Sequence, residues 1–105
     1  MANSVIKYKN DFTIKRQLTS NDDLNNFIGF QYNGIYWCDD NPNTPNNLPL
    51  DGSGVKFPFG ILIVTNSSPT LSITLTHQYY IRLLGQTDDR IFMRVRVNGA
   101  WQNWT

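Results

Sequence analysis

Glutamate is absent from this 105-residue sequence: all eight acids are aspartate, and alanine occurs only at Ala2 and Ala100. A helical domain so poor in two of the strongest helix formers is not expected. Cysteine occurs once, at Cys38, which excludes an intrachain disulfide and leaves a cysteine-based zinc site without nearby ligands. Histidine also occurs once, at His77, so a histidine-rich metal site is excluded. No apolar run approaches the roughly 20 residues of a membrane-spanning helix, and Met1–Asn10 lacks the apolar core of a signal peptide. A net charge of +1 provides no basic face for phosphates. The expectation is therefore no nucleic-acid partner, no membrane insertion, no metal and no cofactor.

What is present suits a sheet. Val, Ile, Thr, Tyr, Phe and Trp make up about a third of the chain, and their shapes fit a pleated, half-buried surface. Asn supplies about one residue in eight, concentrated in turn-like stretches. The expected fold is mainly β: a compact antiparallel β-sandwich or barrel-like domain with one short N-terminal helix. Val5–Lys9 and Phe12–Arg16 read as the arms of a hairpin around Asn10-Asp11. Ser20–Phe27 reads as the helix, about two turns long, with Asp22 and Asp23 at its positive end. Ile35–Cys38 reads as a largely buried strand. Gly60–Val64, a continuous apolar run, reads as a central strand covered on both faces. Leu71, Ile73 and Leu75 alternate with polar residues, Gln78–Leu84 continues or pairs with that strand, and Ile91–Val97 returns. Asn98-Gly99 is the strongest hairpin signal in the chain.

Between the strands lies a long loop, Asp39–Gly54, broken by three prolines and held to the core through Leu48 and Leu50. Such length in a small domain points to a functional segment. Its Asp39, Asp40 and Asn41 offer hydroxyl-binding groups beside Trp37, and Trp37 and Tyr80 are the best candidates for an exposed aromatic platform of the kind sugars stack on. The competing reading makes such aromatics core, and it is the stronger one for Tyr36, Trp101 and Trp104. Gly60 joins these as a structural position. The Asp22-Asp23, Asp39-Asp40 and Asp88-Asp89 pairs do not read as a glycosidase dyad, because adjacent carboxylates on a strand point apart and Asp in turns caps its own backbone. Cys38 reads as an inert core thiol, and no G-x-S-x-G elbow accompanies His77.

From Ser20 onward the order of signals resembles the pyocin-knob family of bacteriophage tail-fibre and baseplate proteins. The matching pieces are Asp23-Leu24-Asn25, Asn33-Gly34-Ile35-Tyr36, Asn47-Leu48-Pro49, Gly60–Val64, Gln78-Tyr79 and Met93-Arg94. The closing Asn98-Gly99-Ala100-Trp101-Gln102-Asn103-Trp104 is the most specific of them. The resemblance implies a knob-like β domain over residues 20–105; residues 1–19 lie outside it and read as a strand or hairpin segment whose apolar Val5, Ile6, Tyr8, Phe12 and Ile14 suit oligomer or shaft contact. It further implies a non-enzymatic virion module of a tail fibre, spike or baseplate that contributes to host-surface attachment. Its partners would be bacterial surface polysaccharide or another envelope component, other virion proteins, and further copies of itself in a homotrimer. Two other readings stand beside it: a structural trimerisation or capsid-decoration knob with no receptor of its own, and a fragment of a polysaccharide-degrading tailspike. The tryptophan pair is expected to pack on the strand run Gly60–Val64.

Overall fold

A computed structural model describes residues 13–39, 43–67, 73–83 and 89–105. Mainly β is what it shows. Six strands form one mixed sheet whose spatial order follows the chain: β1 (Thr13–Gln17), β2 (Gly34–Asp39), β3 (Phe59–Asn66), β4 (Leu75–Arg82), β5 (Ile91–Val97) and β6 (Ala100–Trp101). β1 runs parallel to β2, and every later pair is antiparallel. The turn between β5 and β6 forms as its sequence demands. Asn98 and Gly99 take φ of 47° and 94°, the positive pair that a tight primed turn requires.

Three expectations change. The described strands all belong to one sheet rather than to two packed layers. The helix over Ser20–Phe27 contracts to a single 3-10 turn, Leu24–Asn26, and no α-helix occurs among the described residues. The reason is local: Asp23 accepts from Asn25 N at 2.9 Å, while the backbone on either side bonds to Asn46 instead of continuing a helix. Lastly, the expected second arm of the N-terminal hairpin is β1, which pairs with β2. The first arm, Val5–Lys9, lies outside the described residues, as does Leu71.

Period-2 alternation gives the sheet two unlike faces. Tyr36, Cys38, Leu62, Val64, Tyr80 and Phe92 point to one side and are buried there beneath the 18–33 segment and the 43–58 loop, which contribute Leu18, Leu24, Phe27, Leu48 and Phe57. Tyr80 is fully buried and packs directly over Gly60, where an added Cβ would lie 2.5 Å from the Tyr80 ring. Only a residue without a side chain fits there, which is the structural role expected of Gly60. Tyr36 is likewise core, its hydroxyl donating to Tyr32 O at 2.9 Å. Leu48 anchors the long loop as anticipated, but Leu50 is exposed.

The buried side also carries polar groups, and they are paired. Asn66 donates from its side chain to Asn33 Oδ1 at 3.1 Å and accepts from Gly29 N and Thr76 Oγ1 at 3.0 and 2.6 Å. These bonds tie the end of β3 to the covering segment. On the opposite face, Ile35, Ile61, Ile63, Tyr79 and Ile81 remain only partly buried. Gly60–Val64 was expected to be covered on both faces; among the described residues it is covered on one.

Candidate functional site

The C-terminal tryptophans meet around an arginine. Arg94 lies on β5 with its side chain on the covered face, 5% exposed. Its guanidinium carbon sits 3.9 Å from the Trp101 ring centroid and 4.8 Å from that of Trp104. Its Nε donates to Gln78 Oε1 at 2.8 Å, and Gln78 Nε2 donates onward to Leu24 O at 2.7 Å. Each tryptophan also fastens a loop: Trp101 Nε1 donates to Asn25 O at 3.4 Å and Trp104 Nε1 to Asn47 O at 2.9 Å. Strand, covering segment, long loop and chain end are thus joined at one point. This supports the structural role assigned to both tryptophans, though they gather on β5, two strands away from Gly60–Val64.

Burial pushes the Arg94 guanidinium down to about 10, partly offset by Asp23, and it remains charged at neutral pH. No carboxylate forms an ion pair with it among the described residues. The charge is instead held by two aromatic faces, an arrangement worth about 2 kcal/mol or more when desolvated.

A cavity of about 320 Å³ opens beside this cluster, lined among others by Asn25, Asn47, Arg94, Trp101, Asn103 and Trp104. Two of its buried polar atoms, Arg94 Nη2 and Asn25 Oδ1, have no hydrogen-bond partner among the described residues. One is a donor and the other an acceptor. Both atoms lie beneath the cavity wall, closed to solvent. Gln102 and Asn103, both exposed, place two amides at the rim. The lining carries no carboxylate, histidine or thiol. Among the described residues the lining offers no nucleophile or general base.

The residues singled out from sequence for ligand binding are placed otherwise. Trp37 and Asp39 do share a cleft, of about 390 Å³, with Phe59, Ile61 and Leu83 at one end of the uncovered sheet face. Apart from Asp39 the side chains in it are apolar, which suits contact with another apolar surface better than a polyol. Tyr80, expected on an exposed platform, is fully buried, and its hydroxyl donates to Phe57 O at 2.6 Å. Burial therefore holds its phenol well above the usual range. Asp40 and Asn41 lie outside the described residues. The aspartates act in turns: Asp51 accepts from Ser53 N and Val55 N, and Asp22 from Thr19 N and the Arg16 guanidinium.

Sequence reading missed Asn25, Asn47, Arg94, Gln102 and Asn103 as a group. Alternation along β5 sets Arg94 and Arg96 on one strand face. What brings Trp101 and Trp104 back onto that face is the tight turn at Asn98-Gly99 and the pairing of Thr105 with Met93, whose two backbone bonds measure 2.9 and 3.1 Å. No family model, curated protein or solved structure matches the chain.

Proposed function

We propose that this chain is a non-enzymatic module of a phage tail fibre, spike or baseplate, carried in the virion, that attaches to a host-surface polysaccharide. The observation that carries the reading is one cavity flanked by two indoles, walled by Asn25, Asn47 and Arg94 and rimmed by the exposed amides of Gln102 and Asn103. Aromatic faces with a few fixed polar groups are the recurring means of holding a sugar ring. The ordered resemblance to pyocin knobs supports the same class of role, and with it a homotrimeric state. A trimer presents three such cavities, and simultaneous engagement raises avidity by orders of magnitude over a single weak contact. The sandwich or barrel-like form expected of a knob requires a second layer on the uncovered face.

The test is binding of the intact protein to an array of bacterial envelope oligosaccharides, with Asn103→Ala and Gln102→Ala as rim variants. Both residues are exposed, so folding is expected to be unchanged. Each lost hydrogen bond of about 1 kcal/mol weakens binding about fivefold per site. If no glycan binds, or if both variants bind as wild type does, the attachment reading fails. A knob that serves only in trimerisation or capsid decoration is then favoured.

A further inference from the structure

The uncovered sheet face is the less ordinary half of this molecule. Strand register sets its side chains in rows: Trp37, Ile61, Ile81 and Ile91 in one, then Ile35, Ile63, Tyr79 and Met93, then Thr65, His77 and Val95. Ile14 extends the middle row across β1, and Leu75 with Val97 adds a further pair. An antiparallel sheet with one wet face ordinarily sets polar residues there. Here these rows contain six isoleucines and no Lys, Arg or Asp.

The arginines have been sorted to the other side. Arg16 stacks over Phe27 and Tyr36, Arg82 over Phe57, Arg90 over Phe92 and Arg94 over the tryptophans. Arg96 pairs in register with Thr76, which is buried on that same side. Every arginine in the chain is thereby accounted for. Depletion of charge at a patch centre, with aromatic residues and methionine retained, distinguishes interface cores from ordinary surface.

We infer that this face is where copies of the chain meet, its rows turned toward the same rows of a second copy. The rows are neutral and apolar and so complementary to themselves, with Asp39 set at the end of the face beside Phe59. The area is sufficient. Four strands about 4.8 Å apart and a length of about 27 Å give a plan area on the order of 500 Å². Side-chain relief carries the accessible surface toward the roughly 800 Å² per partner of a standard interface.

Closure is also satisfied. Facing sheets pack about 10 Å apart, so each side-chain layer reaches about 5 Å. Two faces stack directly at that spacing. Three faces about 19 Å wide enclose an axis about 5.5 Å from each sheet, which the side chains fill; four leave a hollow. The assembly therefore supplies the second layer that the single sheet lacks, and it leaves the Arg94 cavity on the outward side of each copy. The inference rests on the face alone and stands whether or not a glycan binds.

Light scattering or sedimentation of the full chain, from about 1 to 100 µM, decides it. The expected mass is two or three times 12.1 kDa. Ile63→Lys sets a charge at the centre of the face and is expected to return the mass to 12.1 kDa with the β-rich circular dichroism retained. Ile91→Lys is the second variant: Ile91 is 60% exposed in the protomer, so a lysine there does not disturb folding but still meets the partner. It is expected to weaken association at least tenfold. A wild-type protein that stays at 12.1 kDa at 100 µM overturns the inference. So does an assembly unaffected by Ile91→Lys, whether or not Ile63→Lys folds. Retained assembly without glycan binding would sink only the attachment reading.

Discussion

Replacing Gln78 by leucine removes the link between Arg94 and the covering segment while nearly preserving volume. Gln78 is fully buried and makes two bonds, to Arg94 Nε and Leu24 O, at 2.8 and 2.7 Å. The substitution leaves a buried carbonyl and a buried guanidinium N–H unpaired, beside Arg94 Nη2, which already lacks a partner. An orphaned neutral group costs about 1–3 kcal/mol and a charged one more, so Gln78→Leu is expected to destabilise the fold by about 3–5 kcal/mol. That is a large part of the 5–15 kcal/mol typical of small domains. Urea unfolding followed by tryptophan fluorescence reads it as a midpoint lower by about 2–3 M, for a slope of about 1.5 kcal/mol/M. The decisive control is Gln78→Leu with Arg94→Met, which removes the charge and keeps an unbranched stem between the indoles. This double variant is expected to be more stable than Gln78→Leu by about 1–2 kcal/mol, because an unpaired buried ion is worse than none. Should Gln78→Leu cost under about 1 kcal/mol, or should the two substitutions add, the account of Arg94 as a network-bound buried ion is refuted.

Two further variants turn on pH, with opposite signs. The hydrogen bonds from the Arg16 guanidinium, joined by that from Thr19 N, hold the Asp22 carboxyl below the usual carboxylate range. Its contribution is present above the unfolded carboxylate value near 4 and lost as pH falls through the folded one. Asp22→Asn is expected to cost about 1–2 kcal/mol at pH 7 and to flatten the loss of stability below about pH 4 in acid titrations. Asn66→Asp does the reverse. It sets a buried carboxyl oxygen against Asn33 Oδ1, where Asn66 now donates. Desolvation raises that folded-state pKa above about 4, so the variant is stable while protonated and loses stability as pH rises through the folded value. Thermal melts at pH 4 and pH 7 check it: a variant equally stable at both would contradict the buried assignment of Asn66.

Local chemistry was readable in this sequence, and long-range register was not. Asn98-Gly99 announces its turn because two adjacent residues determine it. The strand cores announce themselves through alternation. Tyr79 and Tyr80 show the limit: one of two neighbours must face the core, and only the pairing of Tyr80 with Leu62 decides which. The helix over Ser20–Phe27 was a fair reading of capping residues, but those same aspartates and asparagines satisfy the backbone equally well in a 3-10 turn bonded to the long loop. The Arg94 cluster assembles residues from positions 24, 25, 47, 78, 94, 101 and 104. No spacing rule connects them. The continuous apolar run Gly60–Val64 reads as a strand covered on both faces, and the described residues cover one of them.

That strands succeed one another in space in the order they leave the ribosome has a kinetic meaning. β3, β4 and β5 need only neighbouring stretches of chain to pair, so little loop entropy is spent before their contacts form. β1 is different: a parallel partner is reached only by carrying the whole 18–33 segment over the sheet, which places its docking after the meander exists. Folding is therefore expected to be ordered from the middle outward, with the layer that buries Gln78 and Arg94 closing last. Native-state hydrogen exchange would show it as slow amides in β3 and β4 and earlier opening of β1 with the 18–33 segment. Run backward, the same order is expected to lift the 18–33 segment from the tryptophan cluster before the meander opens, which would make the cavity's wall a separable cooperative unit.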